Sequence, residues 1–234
     1  MKHICMFSGG AASSYMSFLI ARQFPHDTIL LHTPAGAEHP DADRFRAEIA
    51  AYIGLPITVA SCGMDLWAVI RKNRMLPDFR PFCTRILKWE PRHNFLRDIK
   101  QDHKVYVGFG PNEFHRIEKA RANGGNDEYP LFDRGTSSEK CKDIIKNEWK
   151  ICLPEPYKTM RHNNCLPCFK GGEGHFKAVW QNYPENFQKA VDAEEFTGHT
   201  VFQGKPLKKL VEKWEKEPKQ ETFFEIEKPC MCAD

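Results

Sequence analysis

A turn rich in glycine and serine near the N-terminus is the first group of residues that could do chemistry. The segment from Ser8 to Ser14 reads SGGAASS and lies between a short apolar run that ends at Phe7 and a stretch with helical periodicity. The first amides of a helix lack intrahelical acceptors, and the helix dipole favours an anion there. Because glycines let a phosphate approach the backbone and serine hydroxyls add donors, the segment predicts a phosphate-binding loop. The alternative is an ordinary strand-to-helix connection.

Two cations lie three residues apart in a predicted helix. Arg85 and Lys88 would share one face of that helix and could neutralise a polyphosphate or a sulfate. Cys83 precedes them, and it would be a thiol nucleophile or a ligand if these cations lower its pKa. The alternatives are a solvated basic face for the two cations and a buried, inert thiol for Cys83.

The nine cysteines indicate metal or thiol chemistry, because an odd number fits poorly with full disulfide pairing and a reducing compartment disfavours disulfides. Cys165 and Cys168 form a CxxC pair that predicts ligands for zinc or for a 4Fe–4S cluster, with Cys152 as a third ligand. The spacing does not select the full set, and the pair could instead be a redox or persulfide-carrying dithiol. The other candidate ligands are Cys83, Cys141, His162, His175, Cys230 and Cys232.

Strand-like runs alternate with helical stretches through the first half of the chain. The runs predicted as strands are 3–7, 28–32, 57–60 and 104–108, and the stretches predicted as helices among them are 41–52, 65–74 and 84–100. This alternation predicts an α/β fold with a doubly wound, mostly parallel, Rossmann-like sheet that binds its ligand at the carboxyl ends of the strands. Further along we expect an extended piece at 129–131 and helices at 137–149, 176–183, 187–196 and 207–214.

Length and charge bound the class of protein. The 234 residues suffice for one sizeable α/β domain, and a formal charge of +3 neither demands nor excludes a nucleic-acid partner. No apolar run is long enough to span a bilayer, and no charged leader precedes the first strand, so we expect a cytoplasmic protein without a membrane partner.

Several short motifs occur in the order typical of one superfamily. The loop from Ser8 to Ser13 resembles the SGGxDS PP-loop of the ATP pyrophosphatases and phosphoadenylylsulfate (PAPS) reductases, which have an adenine nucleotide alpha hydrolase-like fold. The other matching segments are 36–40 with TGxEHP, 83–88 with CTxxLK, 107–116 with the VGxRxxE/R stretch, and 129–131 with YPL. The resemblance covers about residues 1 to 200. It departs from the family at Ala11 and Ala12, where the family often has lysine and an aspartate.

The resemblance implies a nucleotide site. Residues 1–160 would form the PP-loop α/β domain, and residues 161–234 a helical extension with the CxxC pair, packed on the same domain. The residues that would hold ATP are Phe7, Ser8, Gly9, Gly10, Ser13, Ser14, His32, Gly108 and Arg116. Cys83, Arg85 and Lys88 would be catalytic, and Glu38 would be a ligand of Mg²⁺, since hard oxygen ligands suit that ion. Asp41 is a weaker candidate, because an acidic residue also suits a helix start.

The implied reaction is cleavage of ATP to AMP and pyrophosphate, which activates an acceptor for sulfur insertion. The small ATP pyrophosphatases associated with DNA phosphorothioation are among the relatives it resembles. One alternative is a sulfonucleotide (PAPS or APS) reductase, for which Cys230 and Cys232 would supply the nucleophile. Another is a non-catalytic subunit that binds an adenine nucleotide, because Ala11 and Ala12 lack side chains that the active family uses.

The resemblance also implies partners. A sulfur donor protein such as a cysteine desulfurase is expected, and the sulfur acceptor could be DNA, a transfer RNA base or a small molecule. The basic segments at 164–177 and 205–209 could approach a nucleic acid, although such clusters are more often solvated helix faces.

Overall fold

A four-stranded parallel sheet forms the centre of the N-terminal half. A computed structural model describes residues 1–78 and 80–216. The strands β1 Lys2–Met6, β2 Thr28–His32, β3 Ile57–Val59 and β4 His103–Tyr106 lie in the order β3-β2-β1-β4. The chain leaves β1 towards β2 and β3 and returns to β4 on the other side of β1. The carboxyl end of β1 is therefore a topological switch point, where such sheets bind ligands.

Helices cover both faces of the sheet, which confirms the predicted doubly wound α/β fold. The helices are α1 Ala11–Gln23, α2 Asp41–Ile53, α3 Leu66–Asn73, α4 Phe82–Thr84, α5 Glu90–Asp98, α6 Phe114–Ala122, α7 Pro130–Asp133, α8 Ser138–Asp143, α9 Glu173–Asn182, α10 Pro184–Thr197 and α11 Leu207–Trp214. Turns of π-helix at Arg85–Trp89 and Ile144–Glu148 follow α4 and α8, and 3₁₀ turns occupy Pro111–Glu113 and Glu155–Lys158.

Apolar burial explains why the layers stack. On one face, Phe7 after β1 and Phe45 of α2 are fully buried in a cluster that includes Met16 of α1. On the other face, Ile4, Leu31 and Val105 pack with Phe95, Leu96 and Ile99 in and after α5. No helix in the described ranges is long and apolar enough to cross a membrane.

The C-terminal helices share a hydrophobic cluster with the N-terminal half. Val69 and Ile70 of α3 are buried together with Phe176 of α9, Val191 of α10 and Trp214 of α11. The predicted division at residue 160 stays a prediction, while this shared cluster joins the two parts in one packed unit.

Two predicted elements differ from the structure. The piece at 129–131, expected to be extended, begins α7, because Pro130 is at the first position of a helix, where its fixed φ is favourable. The helix expected over 137–149 is capped by the Ser137 side chain, which accepts from the Lys140 amide, and its second half is π-helical. Because Ser137 is the N-cap, the α-helix begins at Ser138, one residue after the predicted start.

Candidate functional site

The glycine–serine loop connects β1 to α1 at the switch point of the sheet. Gly9 has φ +86°, a conformation that side chains rarely adopt, and Gly10 is the extended N-cap of α1. The hydroxyls of Ser13 and Ser14 donate to the Gly10 carbonyl at 3.0 and 2.9 Å, and Ser8 Oγ lies 3.0 Å from Ser13 Oγ. Ser14 is fully buried, so its hydroxyl shapes the loop. These hydrogen bonds fix the loop between β1 and the first turn of α1, and the predicted binding of an anion there stays a prediction.

A buried arginine lies beside this loop. Arg46 of α2 is 6 % exposed, pairs with Asp43, and its Nη1 donates to the Ser8 carbonyl at 3.4 Å. A Cβ on Gly9 would lie 2.8 Å from the Arg46 side chain, so only glycine fits there without a shift. The sequence analysis missed Arg46, because a charged residue in an amphipathic helix gives no sign that it turns inwards. Its charge adds to the positive potential of the loop.

Two residues from beyond residue 150 also contact the loop. The Ala11 amide, the first of α1, donates to the Tyr157 hydroxyl at 3.2 Å. The side-chain amide of Asn163 donates to the Gly9 carbonyl at 3.1 Å. These residues were also missed, since nothing in the local sequence connects them with a turn about 150 positions earlier. The loop is completed by the second half of the chain.

Gly108 lies against the first turn of α1. A Cβ at this position would come within 2.8 Å of the backbone nitrogen and Cα of Ser13. A glycine is therefore required for the segment after β4 to pack against the helix start. The predicted nucleotide contact of Gly108 stays a prediction, and the structure gives the residue a packing role beside the loop.

Phe7 and His32, predicted to contact adenine, are joined by a hydrogen bond. His32 Nδ1 donates to the Phe7 carbonyl at 3.0 Å, and the Phe7 amide donates to the Leu31 carbonyl. Burial, together with the nearby Arg46 charge, lowers the pKa of His32 to about 4. His32 is therefore neutral at pH 7 and fixes the end of β1 on the end of β2.

Lys88 lies close enough to Glu38 for its charge to affect the carboxyl. Glu38 accepts from the Ala35 amide at 3.0 Å and from the Ala37 amide at 3.1 Å. Burial raises the pKa of this carboxyl, but the amides and the positive charge of Lys88 outweigh burial, so the pKa lies below its usual value. Glu38 is thus an anion that shapes its own loop and faces Lys88. Both oxygens already accept amides, a geometry that suits a loop anchor better than the predicted Mg²⁺ ligand.

The surroundings of Cys83 and Arg85 favour their structural alternatives over catalytic roles. Burial raises the pKa of the Cys83 thiol, and the Lys88 charge opposes this only in part. A thiol with a raised pKa is a weak nucleophile, so the structure favours the buried-cysteine alternative for Cys83. The Arg85 side chain is 62 % exposed and pairs with Glu90.

Arg116 is held by its own helix region. It pairs with Glu113, and its guanidinium lies 4.0 Å from the centre of the Phe109 ring. Glu113 in turn accepts from the Gly110 amide. The predicted contact of Arg116 with phosphate stays a prediction, and the observed contacts order the segment after β4.

The loop that carries Cys165 and Cys168, called the cysteine loop below, contacts both segment 36–40 and α9. The Leu166 amide donates to the Ala37 carbonyl at 2.8 Å, and the Cys168 amide donates to His175 Nε2 at 2.8 Å. His175 is buried and its ring centre lies 5.4 Å from that of His162. The loop is therefore attached to the same segment that carries Glu38.

The predicted metal ligands do not form a complete set. In residues 1–78 and 80–216, no three His, Cys, Asp or Glu side chains are grouped as a metal site. Cys152 is exposed, and in the described residues it is not grouped with Cys165 and Cys168 as a metal site. Cys141 is fully buried. Cys230 and Cys232 lie outside the described residues. Zinc or a cluster at Cys165 and Cys168 stays a prediction.

The comparison with protein families agrees with the geometry of the loop. Residues 2–117 match the model of the phosphoadenosine phosphosulfate reductase domain. This segment contains β1 to β4, the glycine loop, Glu38 and Lys88. The N-terminal half of the chain belongs to the PAPS reductase-like superfamily. No curated protein matches the chain significantly.

Membership in this superfamily, whose domains are adenine nucleotide alpha hydrolase-like, gives the loop a ligand class. A PAPS reductase-like domain supports adenine-nucleotide binding. The position of the nucleotide phosphates at the start of α1 stays a prediction. Tyr157 and Asn163, which contact the loop, lie beyond the matched segment.

Proposed function

We propose that the protein is an ATP pyrophosphatase that cleaves ATP to AMP and pyrophosphate and so activates an acceptor for sulfur insertion. The observation that supports this proposal is the start of α1, where two glycines, three serines and the Arg46 charge surround a helix N-terminus. Such a site suits a polyphosphate, because backbone donors and a helix dipole bind several anionic oxygens at once.

Catalysis in this proposal rests on positioning and charge. An acceptor oxygen attacks the α-phosphorus, the bond from that phosphorus to the oxygen that bridges the α and β phosphates breaks, and the electron pair leaves with pyrophosphate. A sulfur nucleophile from the donor then attacks the adenylated acceptor, and AMP leaves with the activated oxygen. Where water takes the place of the acceptor, the first step gives AMP directly. The loop amides hold the phosphates while Lys88 and Arg85 offset the charge that develops. The ends of β1 and β2 near Phe7 and His32 would contact adenine. Arg116 would contact the phosphates.

Magnesium enters the proposal only with the nucleotide. Mg²⁺ keeps several waters and is commonly held through substrate phosphates. Ala12 supplies no carboxylate, and Glu38 is engaged by the Ala35 and Ala37 amides. The chain's own contribution to charge neutralisation therefore comes from Lys88, Arg85 and the start of α1.

A sulfonucleotide reductase is the second candidate, and the family match supports it. That reaction needs a thiolate that attacks the sulfur of an adenylated sulfate. Burial raises the pKa of Cys5 and of Cys141 to about 12, and it also raises the pKa of Cys83. These three thiols therefore suit a nucleophile poorly. Cys230 and Cys232, which the sequence analysis gave as the nucleophile of a reductase, lie outside the described residues. A non-catalytic nucleotide-binding subunit is the third candidate, favoured by Ala12.

Partners follow from the proposed reaction. Sulfur insertion needs a sulfur donor, for which a cysteine desulfurase is the proposed source. DNA, as in phosphorothioation, is one proposed acceptor, beside a transfer RNA base or a small molecule.

Product analysis separates the three candidates. Full-length protein would be incubated with ATP and Mg²⁺, and separately with PAPS or APS and a dithiol, and the products resolved chromatographically. AMP with pyrophosphate supports the pyrophosphatase. ADP with phosphate contradicts it, and release of sulfite from PAPS or APS supports the reductase. Nucleotide binding without any product supports the non-catalytic subunit.

A further inference from the structure

The Tyr157 hydroxyl lies at the start of α1 and is held there by the helix itself. The Ala11 amide donates to it at 3.2 Å, as it would to an oxygen of a bound anion. Tyr157 comes from the 3₁₀ turn Glu155–Lys158, which lies outside the segment matched by the family model. A side chain from the second half of the chain therefore occupies one donor of the anion site.

The Tyr157 and Ser8 hydroxyls face the same small space. A Cβ on Gly10 would lie 3.5 Å from Tyr157 Oη and 3.8 Å from Ser8 Oγ. A phosphate or sulfate oxygen above the loop would meet both hydroxyls. Because Tyr157 accepts from Ala11, its own hydrogen can point away from the helix, towards that space.

The phenol is a permanent donor at physiological pH. Burial raises the pKa of Tyr157 to about 12, although the hydrogen bond from Ala11 acts in the opposite direction. The ring is also fixed, because Lys142 Nζ lies 4.7 Å from its centre and donates to the Arg161 carbonyl at 3.0 Å. Because this donor is already fixed, little conformational entropy is lost when an anion binds to it.

We propose that Tyr157 binds the substrate, donating its hydroxyl hydrogen to a phosphate or sulfate oxygen of the nucleotide held at the start of α1. The proposal rests on the nucleotide site proposed above. The Ala11 amide, the hydroxyl and the anion then form a chain of hydrogen bonds in which each bond polarises the next. The other possibility is that the hydroxyl closes the site and must leave before the nucleotide enters, which gives the opposite result in the test.

The test compares Tyr157→Phe with the full-length protein. This change removes one hydroxyl and keeps the ring, and hydrogen bonds to charged groups predict that the Kd for ATP rises about tenfold or more. Adenosine, which lacks the anion, should bind both proteins equally. Tyr106→Phe is the matched control: burial also raises the pKa of Tyr106 to about 12, but its hydroxyl contacts His3. The control should leave the Kd for ATP unchanged, even where it lowers the melting temperature.

Each outcome decides the proposal. Weaker ATP binding by Tyr157→Phe, with unchanged adenosine binding and a melting temperature close to the original, supports it. Equal ATP binding by the original protein and Tyr157→Phe overturns it while the nucleotide site stands. Tighter binding overturns it in favour of a closed site. If the original protein binds no adenine nucleotide, the proposed function fails first, so the two failures are distinguishable.

Discussion

The glycine loop and the cysteine loop are built in different ways. The glycine loop connects β1 to α1, and its shape follows from a parallel strand, a helix start and a glycine with positive φ. The cysteine loop is positioned by single contacts, such as the hydrogen bond from the Leu166 amide to the Ala37 carbonyl. A short sequence motif can predict a site that is built on a strand and a helix. A site held by contacts between distant residues can be recognised only in the folded chain.

The two regions also differ in how complete their chemistry is within residues 1–78 and 80–216. The glycine loop has backbone donors, hydroxyls and Arg46 in place. In the cysteine loop the Cys168 backbone amide contacts His175, but the described residues include no group of three metal-ligating side chains. This difference predicts that substitutions in the glycine loop abolish nucleotide binding. Substitutions in the cysteine loop should reveal whether further residues complete a metal site.

The largest effect is expected at Gly9. Gly9→Val places a branched side chain at φ +86° and within 2.8 Å of Arg46, so the loop cannot keep its shape. We expect ATP affinity to fall more than about 100-fold, measured by equilibrium dialysis with labelled ATP. Gly198→Val is the matched control, because Gly198 has φ +71° with no neighbour within 4 Å of a Cβ. Gly198→Val should lower stability and leave the affinity for ATP unchanged. An equal loss of ATP affinity in both variants would mean that backbone strain alone is responsible.

The second effect concerns the thiols. If Cys165 and Cys168 bind zinc or a cluster, anaerobically purified protein contains stoichiometric metal, and the double change to serine removes the metal and several kcal/mol of stability. If they form a dithiol, the protein is metal-free and the double variant keeps its fold but loses sulfur transfer. Elemental analysis and thermal unfolding decide between these outcomes. Serine at the exposed Cys62 is the control and should change neither.

A third effect separates the two cations of the predicted catalytic helix. Lys88→Ala removes the charge that faces Glu38, and kcat/KM should fall about 10- to 100-fold. Arg85→Ala should lower it only a few-fold, because that side chain is 62 % exposed and already pairs with Glu90. Steady-state assays of AMP formation measure both. Equal losses would show that Arg85 contacts the substrate as Lys88 does.

The fourth effect is a dependence of stability on pH. Burial lowers the pKa of His32 to about 4 from 6.5, so between these values the unfolded chain binds more protons than the native one. The stability from neutral His32 is complete above pH 6.5 and is lost as pH falls towards 4. From pH 7.5 to 5.0 we expect a loss of about 2 kcal/mol from this residue, measured by urea unfolding. His32→Asn keeps a donor for Phe7 and should lose less; an equal loss would assign the effect elsewhere.

The sequence predicted the elements whose residues interact locally. The strand at 28–32 and the helices at 41–52 and 207–214 follow from apolar periodicity, and the glycine loop from its position between β1 and α1. Tyr157, Asn163 and Arg46 could not be predicted, because their roles depend on contacts that only folding creates. Pro130 misled the prediction, since proline suits a turn and a helix start equally well.

A crystal structure of the full-length protein with an ATP analogue that resists cleavage between the α and β phosphates tests the central claim most directly. The claim is that an adenine nucleotide binds with its phosphates at the start of α1. We expect a phosphate oxygen within hydrogen-bond distance of the backbone amides between Gly9 and Ser13, with adenine near the ends of β1 and β2. A nucleotide bound elsewhere, or with its phosphates directed away from the start of α1, would contradict the account.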